Sequence, residues 1–271
     1  MKKLLLLTTV CSILLMSCEK DGGLPSLPDP DDVCSAMDDI NFMRYCYDNF
    51  DVNKDGKVSK TEANAVREIR IELMGIKSLK GIQYFSNLTF LDCKNNDLND
   101  LNVSKNTALT KLDCSYNALT SLDVNKNTAL LYLYCSYNHL TSLDISKNTK
   151  LDELICDNNA LTSLVSMNAK LIHLNCKYNR LKSLDVSKNT KLYWLTCSYN
   201  ELTNLDVSNN TMLNKLVFNY NKFSTQSLNS LFTDLPITEY GTISFRGNPG
   251  YDDCDISIYQ KKGWHGASVI D

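Results

Sequence analysis

The oxygen-bearing residues of this chain are best spaced for chemistry in "DVNKDGKVSKTE", residues 51–62. Asp51, Asn53 and Asp55 alternate along the run, Ser59 and Glu62 follow, and Lys57 offers its main-chain carbonyl between them. A hard cation such as Ca2+ takes about six to eight oxygens at once. One loop with this spacing supplies them: the side chains of Asp51, Asn53 and Asp55, the Lys57 carbonyl, Ser59 directly or through water, and both oxygens of Glu62. Gly56 stands where the chain must turn sharply, at less cost than a residue with a Cβ. The pattern D-x-[DN]-x-[DN]-G-x5-E is met at every specified position, so Ca2+ is the expected cofactor.

A loop of this kind needs a helix on each side. Upstream, Met37, Ile40, Met43, Tyr47 and Phe50 recur at intervals of three and four, which predicts an amphipathic helix over about 37–50. Downstream, "TEANAVREI" is rich in helix formers. The segment resembles an EF-hand, with Val58 at the position that points inward as a strand residue. No second loop follows, so the mutual support of paired hands is expected to be missing and the affinity modest, in the range of roughly 0.1 to 1 mM used by extracellular modules. A structural role, ordering the helix that leads into the next segment, suits it better than a sensing role, which needs a partner groove.

From there to near the C-terminus the chain repeats itself. Copies begin at Leu88, Leu109, Leu130, Leu151, Leu171, Leu192 and Leu213 with a period of 21 residues, except that the copy from Leu151 has 20. An earlier copy, Val66 to Asn87, has 22 and keeps the apolar frame without a cysteine. The frame L-x-x-L-x-[LC]-x-x-N-x-L at such a period is the signature of leucine-rich repeats. The phrases "LDCSYN" and "LDVSKNT" resemble the cysteine-containing, internalin J-like branch, over about 170 residues in eight copies. The resemblance implies an α/β repeat solenoid, a horseshoe with a parallel sheet on its concave side. A lone coil cannot bury its own apolar face, whereas stacked coils can. The expected organisation is a targeting segment (1–17), a tether (18–33), an EF-hand-like N-terminal cap (34–65), the repeats (66–234) and a C-terminal cap (235–271).

Numbering each copy from its first leucine, Cys93, Cys114, Cys135, Cys156, Cys176 and Cys197 fall at position 6, facing the core. Neighbouring strands lie about 4.8 Å apart with side chains parallel, whereas a disulfide wants converging Cβ atoms near 3.8 Å. The six are therefore expected to pack as free thiols. Asn96, Asn117, Asn138, Asn159, Asn179, Asn200 and Asn221 recur at position 9, where an amide can satisfy backbone groups at the turn. Cys34, Cys46 and Cys254 stand outside the row. With the first helix starting near Met37, Cys46 lies about 15 Å along it, too far from Cys34 to bond unless the chain folds back. Toward the end, Ile243 and Phe245 predict a final strand and "DCDISIYQKKGW" a short closing helix.

With the core occupied by packing, recognition falls to the concave positions 2, 3, 5, 7 and 8. Tyrosines at position 8 (Tyr116, Tyr137, Tyr178, Tyr199 and Tyr220) are expected to stack between coils. The varied residues Tyr132, Tyr134, Glu153, Ile155, His173, Tyr193 and Trp194 form the candidate ligand patch, in which Tyr132, Glu153, His173 and Trp194 share position 3 and should form one row. Rigid aromatic side chains give large contact area at low entropic cost, as protein and glycan recognition require.

The chain of 271 residues, 43% hydrophobic, has a net charge of −3 and no basic run, which gives no electrostatic case for nucleic acid. Its three histidines fall in separate coils with no G-x-S-x-G or H-E-x-x-H motif, so an enzyme is not expected. Lys2 and Lys3 precede an apolar stretch too short to span a membrane comfortably. Leu15-Met16-Ser17-Cys18 resembles the lipobox of bacterial lipoproteins, which implies acylation at Cys18. The acidic residues beside Lys20 resemble the surface-export signal of some Gram-negative lipoproteins. The expectation is a surface lipoprotein, anchored in the outer membrane, that binds a protein or glycan on its concave face. The rival is an envelope scaffold without a dedicated soluble ligand.

Overall fold

The computed structural model describes residues 29–165 and 168–266. The targeting segment, Cys18 and the first part of the tether lie outside the described residues. Every coil contributes a strand of three or four residues: β1 (Glu68–Arg70), β2 (Phe90–Asp92), β3 (Lys111–Asp113), β4 (Tyr132–Tyr134), β5 (Ser142–Asp144), β6 (Glu153–Ile155), β7 (Ser163–Val165), β8 (His173–Asn175), β9 (Trp194–Thr196), β10 (Lys215–Val217), β11 (Gly241–Ser244) and β12 (Trp264–Gly266). Ten of them form one sheet in the order β1-β2-β3-β4-β6-β8-β9-β10-β11-β12, and all pairs are parallel. β5 and β7 pair separately on the return path of the copies from Leu130 and Leu151.

Register follows from the repeat: position 3 of each copy faces position 3 of the next, from Phe90↔Lys111 to Trp194↔Lys215. Strand side chains alternate in direction, so positions 4 and 6 turn inward together. Leu112, Cys114, Leu119 and Val124 are fully buried, as are Leu133, Cys135, Leu140 and Ile145 in the next coil. Burying each leucine is worth about 2 kcal/mol, realised only by stacking.

Two amide ladders lock the turns. Asn138 shows the first: its Nδ2 donates to the carbonyls of Cys114, Cys135 and Ser136, and its Oδ1 accepts from Leu119 N at 3.0 Å. Reading the sequence assigned no role to the second, formed by the asparagine of "KNT". Asn127 Nδ2 donates to Val103 and Asn106 carbonyls, and Asn148 and Asn210 repeat the arrangement coil by coil. Position 8 is left-handed throughout, with φ between 51° and 58° from Leu73 to Tyr220 and 72° at Gly247.

Both ends are sealed by rings. At the C-terminal end α3 (Thr225–Asp234) and the short α4 (Ser257–Gln260) cover the last coil, with Phe218, Phe223, Phe232, Phe245 and Tyr259 in mutual contact. The last repeat thus replaces its usual return path with a helix, capped by Ser224. At the other end α1 (Ile40–Phe50) and α2 (Lys60–Ala65) flank the oxygen-rich loop, and Phe42 and Phe50 pack on Phe85.

The first helix corrects the periodicity reading. Asp39 caps it by accepting from Asn41 N and Phe42 N, so it begins at Ile40, not near Met37. Phe42 and Cys46 form its buried face, and Ile40 is exposed. A 3-10 turn over Val33–Ala36 precedes it and the chain folds back, which brings the Cys34 and Cys46 thiols together, both free and both buried. The fold-back that proximity of the two required is thus present, and no disulfide joins them. Val66–Ile71 likewise leaves the helix after Ala65 and enters β1, where the sheet edge outcompetes helix propensity.

Candidate calcium loop and concave binding surface

Residues 51–62 turn between α1 and α2. Gly56 has φ +83° and open space where a Cβ would stand. Asp51 accepts from Asp55 N and Gly56 N, Asn53 Oδ1 accepts from Asp55 N, and Asp55 accepts from Lys57 N. Glu62 reaches back over the loop. Its Oε1 accepts from Val52 N at 2.9 Å and its Oε2 from Ser59 N at 2.8 Å, while the Ser59 hydroxyl caps α2 by accepting from Glu62 N. The main-chain and hydroxyl donors of Ser59 hold the Glu62 carboxyl below its ordinary range.

The donor set is all oxygen, in the right order on a loop of the right shape, so these residues fit a hard cation in chemistry and chain course. The carboxylates do not converge: among the described residues no three acidic, histidine or cysteine side chains stand gathered for a metal. Asp51, Asp55 and Glu62 each accept from main-chain N–H groups of the loop. Support comes from an unexpected quarter. Val33 N donates to Val58 O at 2.9 Å, and Asp32 accepts from Val58 N at 3.1 Å, so the loop is braced from its far side without a second hand.

On the concave face, position 3 forms one row across the sheet, as the period requires. Tyr132, Glu153, His173 and Trp194 are consecutive partners. His173 Nδ1 lies 2.8 Å from Glu153 Oε1, the Tyr134 hydroxyl donates to Glu153 Oε2 at 3.0 Å, and the His173 ring stacks on Trp194 at 4.2 Å. Burial and the bond to Glu153 push the Tyr134 phenol up. Lys215 covers Trp194 from the next strand, 3.8 Å from the ring centroid. Both faces of the indole are therefore taken, and it offers its edge, 36% exposed. Ile155 lies half-buried beside Tyr134 at position 5, and Tyr193 stands exposed at position 2.

Sequence reasoning stopped the row at both ends too early. Phe90 and Lys111 continue the row toward the cap, Lys111 reaching both Phe90 and Tyr134, and Arg70 from position 5 of the first copy lies over Phe90 at 4.2 Å. For Phe90 and Lys111 the shared position 3 was signal enough; Arg70, at position 5, carries no such mark. The position 8 tyrosines stack in two series, Tyr116 on Tyr137 and Tyr178 through Tyr199 to Tyr220, with centroids 4.2 to 4.5 Å apart. Gly247 ends the second, since a Cβ there would fall 2.5 Å from the Tyr220 ring.

Behind the sheet the six position 6 thiols are fully buried and free. Burial raises each of them above the ordinary thiol value, Cys176 to about 12. Cys93 and Cys114 donate to the carbonyls of Asp113 and Tyr134 on the next strand.

Fold and repeat together define the class: the chain is a leucine-rich repeat solenoid. It is similar to the functional domain of InlJ from Listeria monocytogenes, described as including a cysteine ladder, with 32% identity and a TM-score of 0.74 over 85% of this chain and 55% of that one. A leucine-rich repeat protein of Leptospira interrogans matches at 26% identity and TM-score 0.60, over 70% of this chain and 51% of that one. Internalin C2 of Listeria monocytogenes, 18% identical with TM-score 0.61 over 90% of this chain and 99% of that one, shares the fold. The chain thus spans about half the length of the first two relatives. No family model matches it, and no curated protein does.

Proposed function

We propose that this chain is a lipid-anchored surface protein that docks a protein partner along the row of position 3 residues, with Trp194 as its anchor and Ca2+ ordering the N-terminal cap. The observation that carries the reading is the covering of Trp194 on both faces, by His173 and by Lys215. A sugar stacks on an open ring face; a protein partner also uses ring edges, carboxylates and ammonium groups fixed in a rigid row. Solenoid neighbours of this fold class support an interaction role, with the concave sheet as the surface. The lipobox at Cys18 supports anchoring. Among the described residues no helix is long and apolar enough to cross a membrane.

The Ca2+ ligands in this reading are Asp51, Asn53, Asp55, the Lys57 carbonyl, Ser59 and Glu62. Binding of the soluble mature chain to arrays of matrix proteins and of glycans tests the surface. Trp194→Ala is expected to weaken a protein hit by about tenfold or more, with an unchanged circular dichroism spectrum as the check that the solenoid is folded. Binding indifferent to Trp194→Ala and Lys215→Ala would remove this face from consideration and favour the scaffold reading.

A further inference from the structure

Asp32 is nearly buried, 6% exposed, and both of its carboxylate oxygens accept hydrogen bonds. Its Oδ1 accepts from Cys34 N at 3.0 Å and from Val58 N at 3.1 Å, and its Oδ2 accepts from the Tyr47 hydroxyl at 2.6 Å. Val33, 3% exposed, donates its N–H to Val58 O at 2.9 Å, so both main-chain groups of Val58 are held by two consecutive residues 25 and 26 positions upstream. Lys57 adds a bridge to Asp29 at 2.9 Å. The N–H of Val58 and the carbonyl of Lys57 belong to one trans peptide plane and point in opposite directions. A carboxylate fixed on that N–H therefore directs the Lys57 carbonyl away from itself, and polarises it toward greater negative charge.

We propose that Asp32 and Val33 serve as the second hand of the loop: they position the Lys57 carbonyl for the cation, so that Ca2+ binding and docking of residues 29–36 onto the cap are one coupled equilibrium. This rests on the Ca2+ reading of residues 51–62. Asp32 is a positioning residue, since the peptide of Lys57 and Val58 stands between it and the ion. By linkage, whatever factor docking contributes to Ca2+ affinity, Ca2+ returns to docking. Because residues 29–36 include the end of the tether, the ion would fasten the anchored end of the chain to the solenoid.

The test uses the full mature chain with Ca2+, Tb3+ and chelator. Calorimetry is expected to show Ca2+ binding weakened by about 10- to 100-fold in Asp32→Asn, as for other groups that orient a ligand. Tyr47→Phe, which leaves the Asp32 charge in place, is expected to weaken it by less. The luminescence lifetime of bound Tb3+ should report one more coordinated water in Asp32→Asn than in the parent chain, which general loosening of the cap does not by itself produce. In the parent chain the Val33 and Val58 amides should exchange with solvent more slowly when Ca2+ is present. Equal Ca2+ affinity in the parent chain and Asp32→Asn, with unchanged exchange, overturns the coupling and leaves the Ca2+ site standing. A parent chain that takes up no Ca2+ at millimolar concentration overturns both.

Discussion

Position 3 opens each strand of the sheet and position 6 follows its last residue, three residues on and on the opposite face, and the two are written in opposite ways. Position 6 reads cysteine in six successive coils, whereas position 3 reads Phe90, Lys111, Tyr132, Glu153, His173, Trp194 and Lys215. In an in-register parallel sheet each side chain has its own counterpart as neighbour, about 4.8 Å away on both sides. A row of one residue type persists only where that residue tolerates its own copy. A neutral thiol does, donating to the next strand's carbonyl, and an asparagine amide does, carrying donor and acceptor together. Charged side chains do not, so the concave row alternates: cation over ring, carboxylate to imidazole, imidazole on indole, cation over indole, with the Tyr134 phenol of position 5 donating to the carboxylate from the side. The buried rows are governed by self-compatibility and the exposed row by pairing of unlike neighbours, and only the second leaves room for specificity.

The heaviest blow to that distinction is alkaline pH, which makes the thiol row charged and hence intolerant of itself. The folded-state thiols ionise above the ordinary value of 9.0, Cys176 near 12, so the folded chain binds more protons than the unfolded one in between. Stability is then fully present below about pH 9 and is lost as pH rises toward 12. Each such thiol lowers it by about 1.4 kcal/mol per pH unit, and six act together. A total stability of about 5–15 kcal/mol is consumed within a unit or two of the onset. Circular dichroism across pH 8 to 12 should show cooperative unfolding, with no alkylation of the six thiols by iodoacetamide before it. Gradual alkylation of the native chain near pH 8 would show the row to be open.

Next in size is the amide row. Asn138→Ala deprives the Leu119 N–H of its acceptor and the Cys114, Cys135 and Ser136 carbonyls of a donor, all in the interior. The expected cost is about 3 kcal/mol or more, since each stranded buried group costs about 1–3. On the concave surface, Tyr132→Ala is expected to cost under about 1 kcal/mol, and denaturant titrations of the two variants give the contrast directly. Similar losses in both would mean that the concave row is as structural as the interior.

Much of this was legible because a strict period converts sequence position into register. Once Leu88, Leu109 and Leu130 are aligned, the buried cysteines, the asparagines of position 9 and His173 beside Trp194 follow without further information. The asparagines of "KNT" were equally visible and were passed over, because a polar residue between leucines reads as a surface turn until its burial is known. The brace from Asp32 to Val58 left no mark in the sequence. It joins segments 26 residues apart outside the repeat, where no period fixes what meets what, and an N-cap residue could serve only itself. The start of α1 was misplaced for the same reason: Asp39 as cap and Met37 as core residue are chosen by the packing of the cap.

The smallest expected effect sharpens the comparison with a row that is neither buried nor free to vary. Position 8 is left-handed in every coil, which costs an ordinary residue about 1–2 kcal/mol. Asn95 and Asn158 tolerate that conformation, Gly247 adopts it at no steric cost, and the tyrosines offset it by stacking. Leu73 alone does neither, with φ 58° and a side chain 74% exposed. Leu73→Gly is therefore expected to raise stability by about 0.5 kcal/mol, the steric relief outweighing the larger unfolded-state entropy of glycine. Tyr137→Gly should bring no gain, because it gives up the stack on Tyr116 worth about 0.5–1.5 kcal/mol. Thermal melts of the two variants side by side separate the terms: a gain at both sites would mean that the tyrosine stack contributes nothing, and a gain at neither that the left-handed turn carries no strain.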